Sequence, residues 1–463
     1  MERSIHLGKE AWLKYFHGWE IVDCAIRENR ETKVVYFCVR KLPRNEQADV
    51  WDTQIPTRFF ALNIAERDRY SLSTSTGFDR PRIGVTLLPE PRGILVSRDD
   101  DGNALVSGKG VSDAQEQIAP NKNPMTTRIK CINGYAYSVG WYRTIYKRID
   151  EGKWERFGDL PHGKHIEQVG FEDIDAFSDN EMYAVGGHGD VWMYDGRGWG
   201  AIDFPSTEQL SVVVCAGDGS VYVGGEGLWR GKKEGGKLSW ERFGGGGGWA
   251  TLWNDAVWFE DKLWLSSDTK FMVWDGKSLE RVTGEGAQIF GGHLDARDGL
   301  LLAANDTKAM VYDGKEWRTL IASYELTAEE ISEYNERERA EEGEQKNEIE
   351  FDRGLYAASN DEYEEAIEHF TREIESGRRN KAEVYYERGQ SHYKLGDSAR
   401  AIEDCTRAIE LSSNFDLAYI TRGKSYAALG DYKRAKEDAK KACEEWGECD
   451  LLQALEKEGK TSD

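Results

Sequence analysis

One frame recurs through the first two-thirds of this chain: a short apolar run ending in glycine, a turn, then a second run ending in Asp-Gly ahead of a tryptophan. One copy reads Met182-Tyr-Ala-Val-Gly-Gly, then Val191-Trp-Met-Tyr-Asp-Gly and Trp199. The next has Val221-Tyr-Val-Gly-Gly, Leu228-Trp229 and Trp240. A third has Leu263-Trp-Leu-Ser-Ser and Met272-Val-Trp-Asp-Gly; a fourth has Leu300-Leu-Leu-Ala-Ala, Met310-Val-Tyr-Asp-Gly and Trp317. An earlier, degenerate copy is Ala136-Tyr-Ser-Val-Gly, Thr144-Ile-Tyr and Trp154. The matching aromatics Tyr146, Trp192, Trp229, Trp274 and Tyr312 lie 46, 37, 45 and 38 residues apart. Apolar alternation bounded by Gly, Asp and Asn predicts short strands. A unit this small cannot bury both of its faces alone, so the copies must stack on one another.

Residues 15–110 follow the frame more weakly, with strands predicted at Trp19–Ile26, Lys33–Val39, Arg58–Ile64, Ile83–Leu88, Gly93–Ser97 and Ala104–Ser107. The span 13–320 then holds about seven units of four strands, with six as the alternative. It resembles the β-propeller class, in which each blade buries its face against the next. Neither the WD nor the kelch signature is present in regular form, so the resemblance is architectural. The strand near Trp19 is expected to close the ring against the last blade, because closure removes sheet edges. Residues 113–126, with Pro120, Asn121, Asn123 and Pro124, read as a loop between blades.

The last third is rich in Ala, Glu, Lys and Arg, which favour helix. Gly354, Gly389 and Gly423 lie 35 and 34 residues apart, as do Ala366, Ala401 and Ala435. Small residues at that period belong where two antiparallel helices meet, and Gly396-Asp397 and Gly430-Asp431 break the chain between them. Tyr393, Leu395, Ile402 and Ile409 are expected to pack between layers. Over about residues 351–447 this resembles the tetratricopeptide family, without its usual inter-repeat proline. Residues 448–459 read as a capping helix. The fold class is therefore multidomain: an all-β propeller (1–324), an acidic helical linker (325–350) opened by a capping box at Thr327-Ala-Glu-Glu330, and an all-α tetratricopeptide array (351–463).

The tetratricopeptide resemblance implies a concave groove that takes a peptide or a helix. In one subclass the groove carries a Lys/Asn clamp for acidic chaperone tails. Phe351, Leu355, Glu387 and Thr421 stand in its place here, so that clamp is absent. Tyr356, Tyr386 and Tyr419 are the candidate groove residues, with plain packing as the alternative.

The formal net charge is −23. Residues 1–324, 325–350 and 351–463 carry −8, −8 and −7. Such a field serves solubility, repels phosphate backbones and anionic lipid, and favours a basic protein partner. No nucleic-acid or membrane partner is expected. Seven scattered cysteines without zinc or CxxC spacing read as reduced thiols in a cytoplasmic protein. No apolar leader region and no run long enough to span a bilayer is found.

No HExxH, GxSxG, Walker or EF-hand motif occurs. Gly186-Gly-His-Gly189 and Gly224-Gly-Glu-Gly227 resemble phosphate loops but fall at equivalent places between strands, where hairpin turns need glycine. Gly244–Gly248 reads as an inter-blade loop. His162, His165, His188 and His293 are too scattered for a metal site. Asp173 and Asp175 read as solvated loop carboxylates. No catalytic residue, metal or cofactor is therefore expected. The leading functional expectation is a non-catalytic protein-binding scaffold, in one form an acidic inhibitor or immunity protein that sequesters a basic toxin. A propeller hydrolase or lactonase and an assembly or chaperone adaptor are the alternatives.

Overall fold

The structure is a computed structural model. It describes the chain except residues 1–4, 29, 32, 43–51, 100–101, 109–110, 121, 162–169, 236, 245–251, 290, 377–380, 414, 447–448 and 460–463. The chain divides into two compact units, Met1–Glu325 and Leu326–Asp463.

The first unit is a seven-bladed propeller. Each blade is a meander of four consecutive antiparallel strands. The inner strands are Trp19–Glu28, Arg82–Thr86, Thr126–Ile132, Asp173–Ser178, Leu210–Cys215, Asp255–Phe259 and His293–Arg297. They follow one another around an axis, and the seventh neighbours the first. The apolar clusters lie between blades, as isolated blades require. Blades 3 and 4 share Tyr137, Val139, Ile174, Met182 and Trp192. Blades 6 and 7 share Phe259, Trp264, Leu301, Met310 and Trp317. Each such side chain contributes roughly 1.5–3 kcal/mol by leaving water.

The repeated sequence frame has a local cause at each point. In the turns before the outer strands, Asp195 Oδ1 accepts from the N–H groups of Arg197 and Gly198, at 2.9 and 3.0 Å. Asp275 and Asp313 repeat this arrangement. The following Gly196, Gly276 and Gly314 are left-handed, at φ 86, 90 and 86°. Trp199 and Trp317 then open outer strands and fill the gap to the neighbouring blade. Glycine ends the second strand because a Cβ at Gly140, Gly186 or Gly225 would run into a carbonyl oxygen of the incoming connection. The Gly186–Gly189 and Gly224–Gly227 segments are hairpin turns. Of the Gly244–Gly248 run, 245–248 lie outside the described residues.

Ring closure differs from expectation. The Trp19 strand belongs to its own sheet, paired with Val34–Lys41. It meets blade 7 through single bonds: Ile26 N to Asp295 Oδ2 at 2.7 Å and Ile21 N to Asp306 O at 2.8 Å. The segment added to the outer edge of blade 7 is more N-terminal. His6 and Leu7 donate to the carbonyls of Thr319 and Leu320 at 3.1 and 2.9 Å. Helix α1 (Lys9–Tyr15) follows, and Trp12 packs on Tyr324. Two further expectations are corrected. Val111–Gln117 is the outer strand of blade 2, so only 118–125 connects to blade 3. Cys443 and Cys449 are joined as a disulfide, their Cα atoms 4.3 Å apart.

The second unit is a tetratricopeptide array of helices α2 (Ala328–Ser359), α3 (Tyr363–Ser376), α4 (Lys381–Lys394), α5 (Ser398–Leu411), α6 (Asp416–Ala428), α7 (Tyr432–Trp446) and α8 (Asp450–Gly459). Thr327 and Glu330 form the capping box of α2. Gly354 faces the Phe370 ring and Gly389 faces Cys405, each too closely for a larger residue without movement. Ala366, Ala401 and Ala435 are fully buried. Gly396 and Gly430 are left-handed at φ 83 and 80°, and Asp397 caps α5. Leu395, expected between layers, is exposed at the turn after α4.

Candidate functional site

The axis of the propeller concentrates charge that the sequence reading assigned to solvent. An inner strand has one edge without a neighbouring strand, and its N–H groups need acceptors. Aspartates on the preceding blade supply them. Asp23 Oδ2 accepts from Ile83 N at 3.0 Å, Asp173 from Val213 N at 2.9 Å and Asp175 from Cys215 N at 2.8 Å. Asp255 accepts from Leu294 N at 3.2 Å and Asp295 from Ile26 N at 2.7 Å. In each case Oδ1 takes the N–H of the next residue along its own strand. Asp173 and Asp175 are thus inter-blade staples, not solvated loop residues. Asp173 is wholly buried.

Blade 3 contributes cations instead. Lys130 Nζ lies 3.1 Å from both Asp173 oxygens. Arg128 crosses to blade 6, donating to Asp255 Oδ2 at 3.0 Å and to the Asn254 carbonyl at 2.9 Å. Between them lies a cavity of about 290 Å³, lined also by Cys24, Cys215, Asp295 and Arg297. Burial pushes Asp175 and Asp295 up, against Lys130 and Arg297 respectively. For Asp255 burial is outweighed by Arg128 and His293, which hold it well below the usual carboxylate range. Burial, then Asp175, raises Cys215; burial, then Asp23, raises Cys24. These are thiols, not thiolate nucleophiles. The arrangement braces the ring, with its carboxylates committed to backbone N–H groups.

Of the four histidines, the two that are described, His188 and His293, lie apart. His162 and His165 lie outside the described residues. The ring of His188 meets the Thr207 carbonyl in a turn of blade 4, and His293 faces Asp255 and Asp23 at the axis. Among the described residues no group of His, Cys, Asp and Glu has the arrangement of a metal site.

In the helical unit, Tyr356 is 71% exposed, whereas Tyr386 and Tyr419 are each 7% exposed. Tyr386 packs on Phe415 at 5.0 Å, and Arg422 lies over the Tyr419 ring. The three stand at different places relative to Gly354, Gly389 and Gly423, so they do not form one stripe. The repeat-to-repeat polar contact comes from residues the sequence reading missed. Arg388 holds Asp404 bidentately at 2.9 and 2.7 Å and reaches back to Thr371. Arg422 does the same with Asp438 and Thr406. The shared 34- and 35-residue offsets of Arg, Asp and Thr were the available signal.

Two tetratricopeptide repeat family models match, over residues 382–415 and 417–445. The immune protein Tsi7 of Pseudomonas aeruginosa is 35% identical over 245 residues, which cover 51% of this chain and 78% of that protein. That stretch is longer than the helical unit, so the likeness reaches into the propeller. Similar solved structures include the TPR domain of Arabidopsis OM64 (22% identity, 26% of this chain, 99% of that chain, TM-score 0.25). Another is the second TPR domain of human RPAP3 in complex with an HSP70 peptide (27% identity, 25% and 98% covered, TM-score 0.23).

Proposed function

We propose that this chain, which belongs to the family of the immune protein Tsi7, is a non-catalytic binding protein that neutralises a basic protein toxin by occupying it. The observation that carries the reading is that family likeness, extending through more of the chain than the tetratricopeptide array. The axis supports it: the carboxylates of an enzyme-like channel are here spent on inter-blade bonds. Both units are built of repeats, whose extended surfaces suit protein recognition. A net charge of −23 steers a cationic partner toward the surface and disfavours nucleic acid and anionic membranes. No described helix is long and apolar enough to cross a membrane. We place the chain in the cytoplasm, a compartment that suits the five free cysteines of the propeller and the helical unit. A peptide or helix of the partner in the helical groove belongs to the same proposal, with Tyr356 as the exposed side chain to replace.

The test is co-expression of the full chain with each basic toxin encoded beside its gene, scored by growth, followed by titration calorimetry. Rescue and tight binding are expected, with Kd weakening about tenfold or more as salt rises well above physiological strength. Growth arrest unchanged by the chain across that set would refute the reading. Binding that ignores salt would remove its electrostatic part.

A further inference from the structure

The outer strand of a blade has one free edge, and this molecule guards most of its own. That of blade 7 is covered by His6 and Leu7, which donate to the carbonyls of Thr319 and Leu320. Those of blades 3 and 5 carry charge, as in Lys153-Trp-Glu-Arg156 and Glu241-Arg242. Those of blades 4 and 6 are three residues long. Blade 2 is different. Its outer strand, Val111–Gln117, runs seven residues. Glu116 is turned away from the edge, where Arg148, Gly152 N and Trp154 Nε1 take both carboxylate oxygens at 2.7–3.0 Å. From Ala114 to Gln117 the edge therefore presents no free charge.

The register decides which backbone groups face outward. Ile118 N donates to the Gly102 carbonyl at 3.0 Å, and Ser97 N to the Asn103 carbonyl at 2.8 Å. Bonded and non-bonded pairs alternate along an antiparallel ladder. Leu105 lies opposite Gln115 and Asn103 opposite Gln117. The N–H and C=O of Gln115 and Gln117 therefore point away from the sheet, and neither residue has a backbone partner there among the described residues. Beside this edge is a cleft of about 600 Å³ between blades 1 and 2. Ser75 and Thr76, at the end of the uncharged outer strand of blade 1 (Tyr70–Ser75), form its opposite wall. Phe78 and Leu105 give it a buried apolar floor. Asp113 lies two residues before Gln115 on the same edge, exposed and without an ion pair among the described residues.

We propose that the outer edge of blade 2 receives an extended, uncharged stretch of the protein partner as a fifth strand, with a lysine or arginine of that partner reaching Asp113. This placement rests on the binding role stated above and adds where the partner docks. Outward N–H and C=O groups two residues apart match the main chain of another strand. His6 and Leu7 on blade 7 show that a blade edge of this ring takes an extended segment. Alternate side chains of the added strand enter the cleft, where Phe78 and Leu105 suit an apolar one. A cation at Asp113 fits a basic partner, and the uncharged edge beyond it leaves main-chain bonds to fix the register.

The probe is the capped peptide Lys-Thr-Val-Thr-Val-Lys, titrated to about 10 mM into the full chain carrying nitrogen-15 glutamine, with the Gln115 and Gln117 amide resonances followed. The same peptide N-methylated at every residue, a version with glutamate at both ends, and maltohexaose are the comparison arms. Both resonances should move with the first peptide. N-methylation should weaken the response at least about tenfold, and the glutamate ends at least about threefold. No shift overturns the proposal, as does equal binding of either modified peptide. A stronger response to maltohexaose assigns the cleft to a carbohydrate and also overturns it. Gln115→Pro deletes an outward N–H at the kind of position where an edge strand accepts proline. Read at Gln117, it should weaken the peptide response at least about tenfold with the melting temperature unchanged. Thr76→Lys, which places a cation in the mouth of the cleft, replaces it if Q115P folds poorly. Wild-type affinity in the folded variant overturns the proposal. With a toxin that the chain neutralises, Q115P should weaken binding about tenfold or more. Failed neutralisation with the peptide response intact defeats the functional reading and leaves the edge site standing.

Discussion

Arg128 places its charge across the axis, within 3.0 Å of Asp255 and 3.7 Å of Asp173. All three groups are largely out of water, so removing the cation takes the 3.0 Å ion-pair partner from buried Asp255, while Asp173 keeps Lys130. We expect Arg128→Met to cost about 3–5 kcal/mol, the usual penalty for breaking a buried pair from one side. Urea denaturation followed by tryptophan emission checks this. The pH dependence follows from Asp255, where burial is outweighed by Arg128 and His293 and the carboxyl is held below its ordinary range. A depressed acid adds stability above its unfolded pKa of about 3.9 and loses it as pH falls through the lower folded value. Wild-type stability should therefore drop steeply below about pH 4, and the R128M curve should be flatter there. In the sequence Asp173 and Asp175 looked solvated because a polar residue at a strand end is ordinarily so. Their use appears only when inner strands ring an axis. Asp23, Asp173, Asp255 and Asp295, each opening or sitting within a first strand, carried that signal as a roughly once-per-blade recurrence.

The strands and helices themselves were legible, because both repeats write their turns in glycine and aspartate. The frame Val-Gly-Gly followed by Asp-Gly-x-x-Trp encodes a close approach, an Asx turn and an inter-blade wedge in sequence order. Gly225 tests the first of these. Its Cβ would collide with the Gln209 carbonyl, whereas a Cβ at Gly200 meets nothing within 4 Å. Gly225→Ala should lower stability by at least about 2 kcal/mol, and Gly200→Ala should stay within about 0.5 kcal/mol of wild type. Thermal melts of the two variants decide it; equal melting temperatures would contradict the steric account. In the helical unit the glycine and alanine spacing located each helix pair. The Arg-to-Thr contacts between repeats were not seen, since either residue alone reads as surface. At the place of Thr371 and Thr406 the last repeat has Lys440, so the ladder ends there and α8 covers the final layer instead.

Blade number and closure belong to the whole ring, and local patterns could not settle them. Six units and seven units differ little in strand content. Every sheet here is built from consecutive strands, so no shared strand locks the last blade to the first. The seam depends on Asp295 bonding Ile26, Arg297 bonding the Ile26 carbonyl, and His6 and Leu7 lying along Trp317–Ile321. Tyr324 secures the same segment by donating to the Leu7 carbonyl at 2.8 Å. The seam is the one blade interface that the chain does not cross in passing from one blade to the next, so the ring should open first at that place. Leu7→Pro removes the N–H that reaches Leu320 and, with it, a fully buried leucine side chain at the seam. In hydrogen-exchange mass spectrometry, peptides covering Trp19–Glu28 and His293–Ile321 should then gain exchange about tenfold or more, while the inner strand of blade 4 keeps its protection. Uniform loss of protection around the ring would mean that closure is shared by all seven interfaces and that the seam has no special weakness.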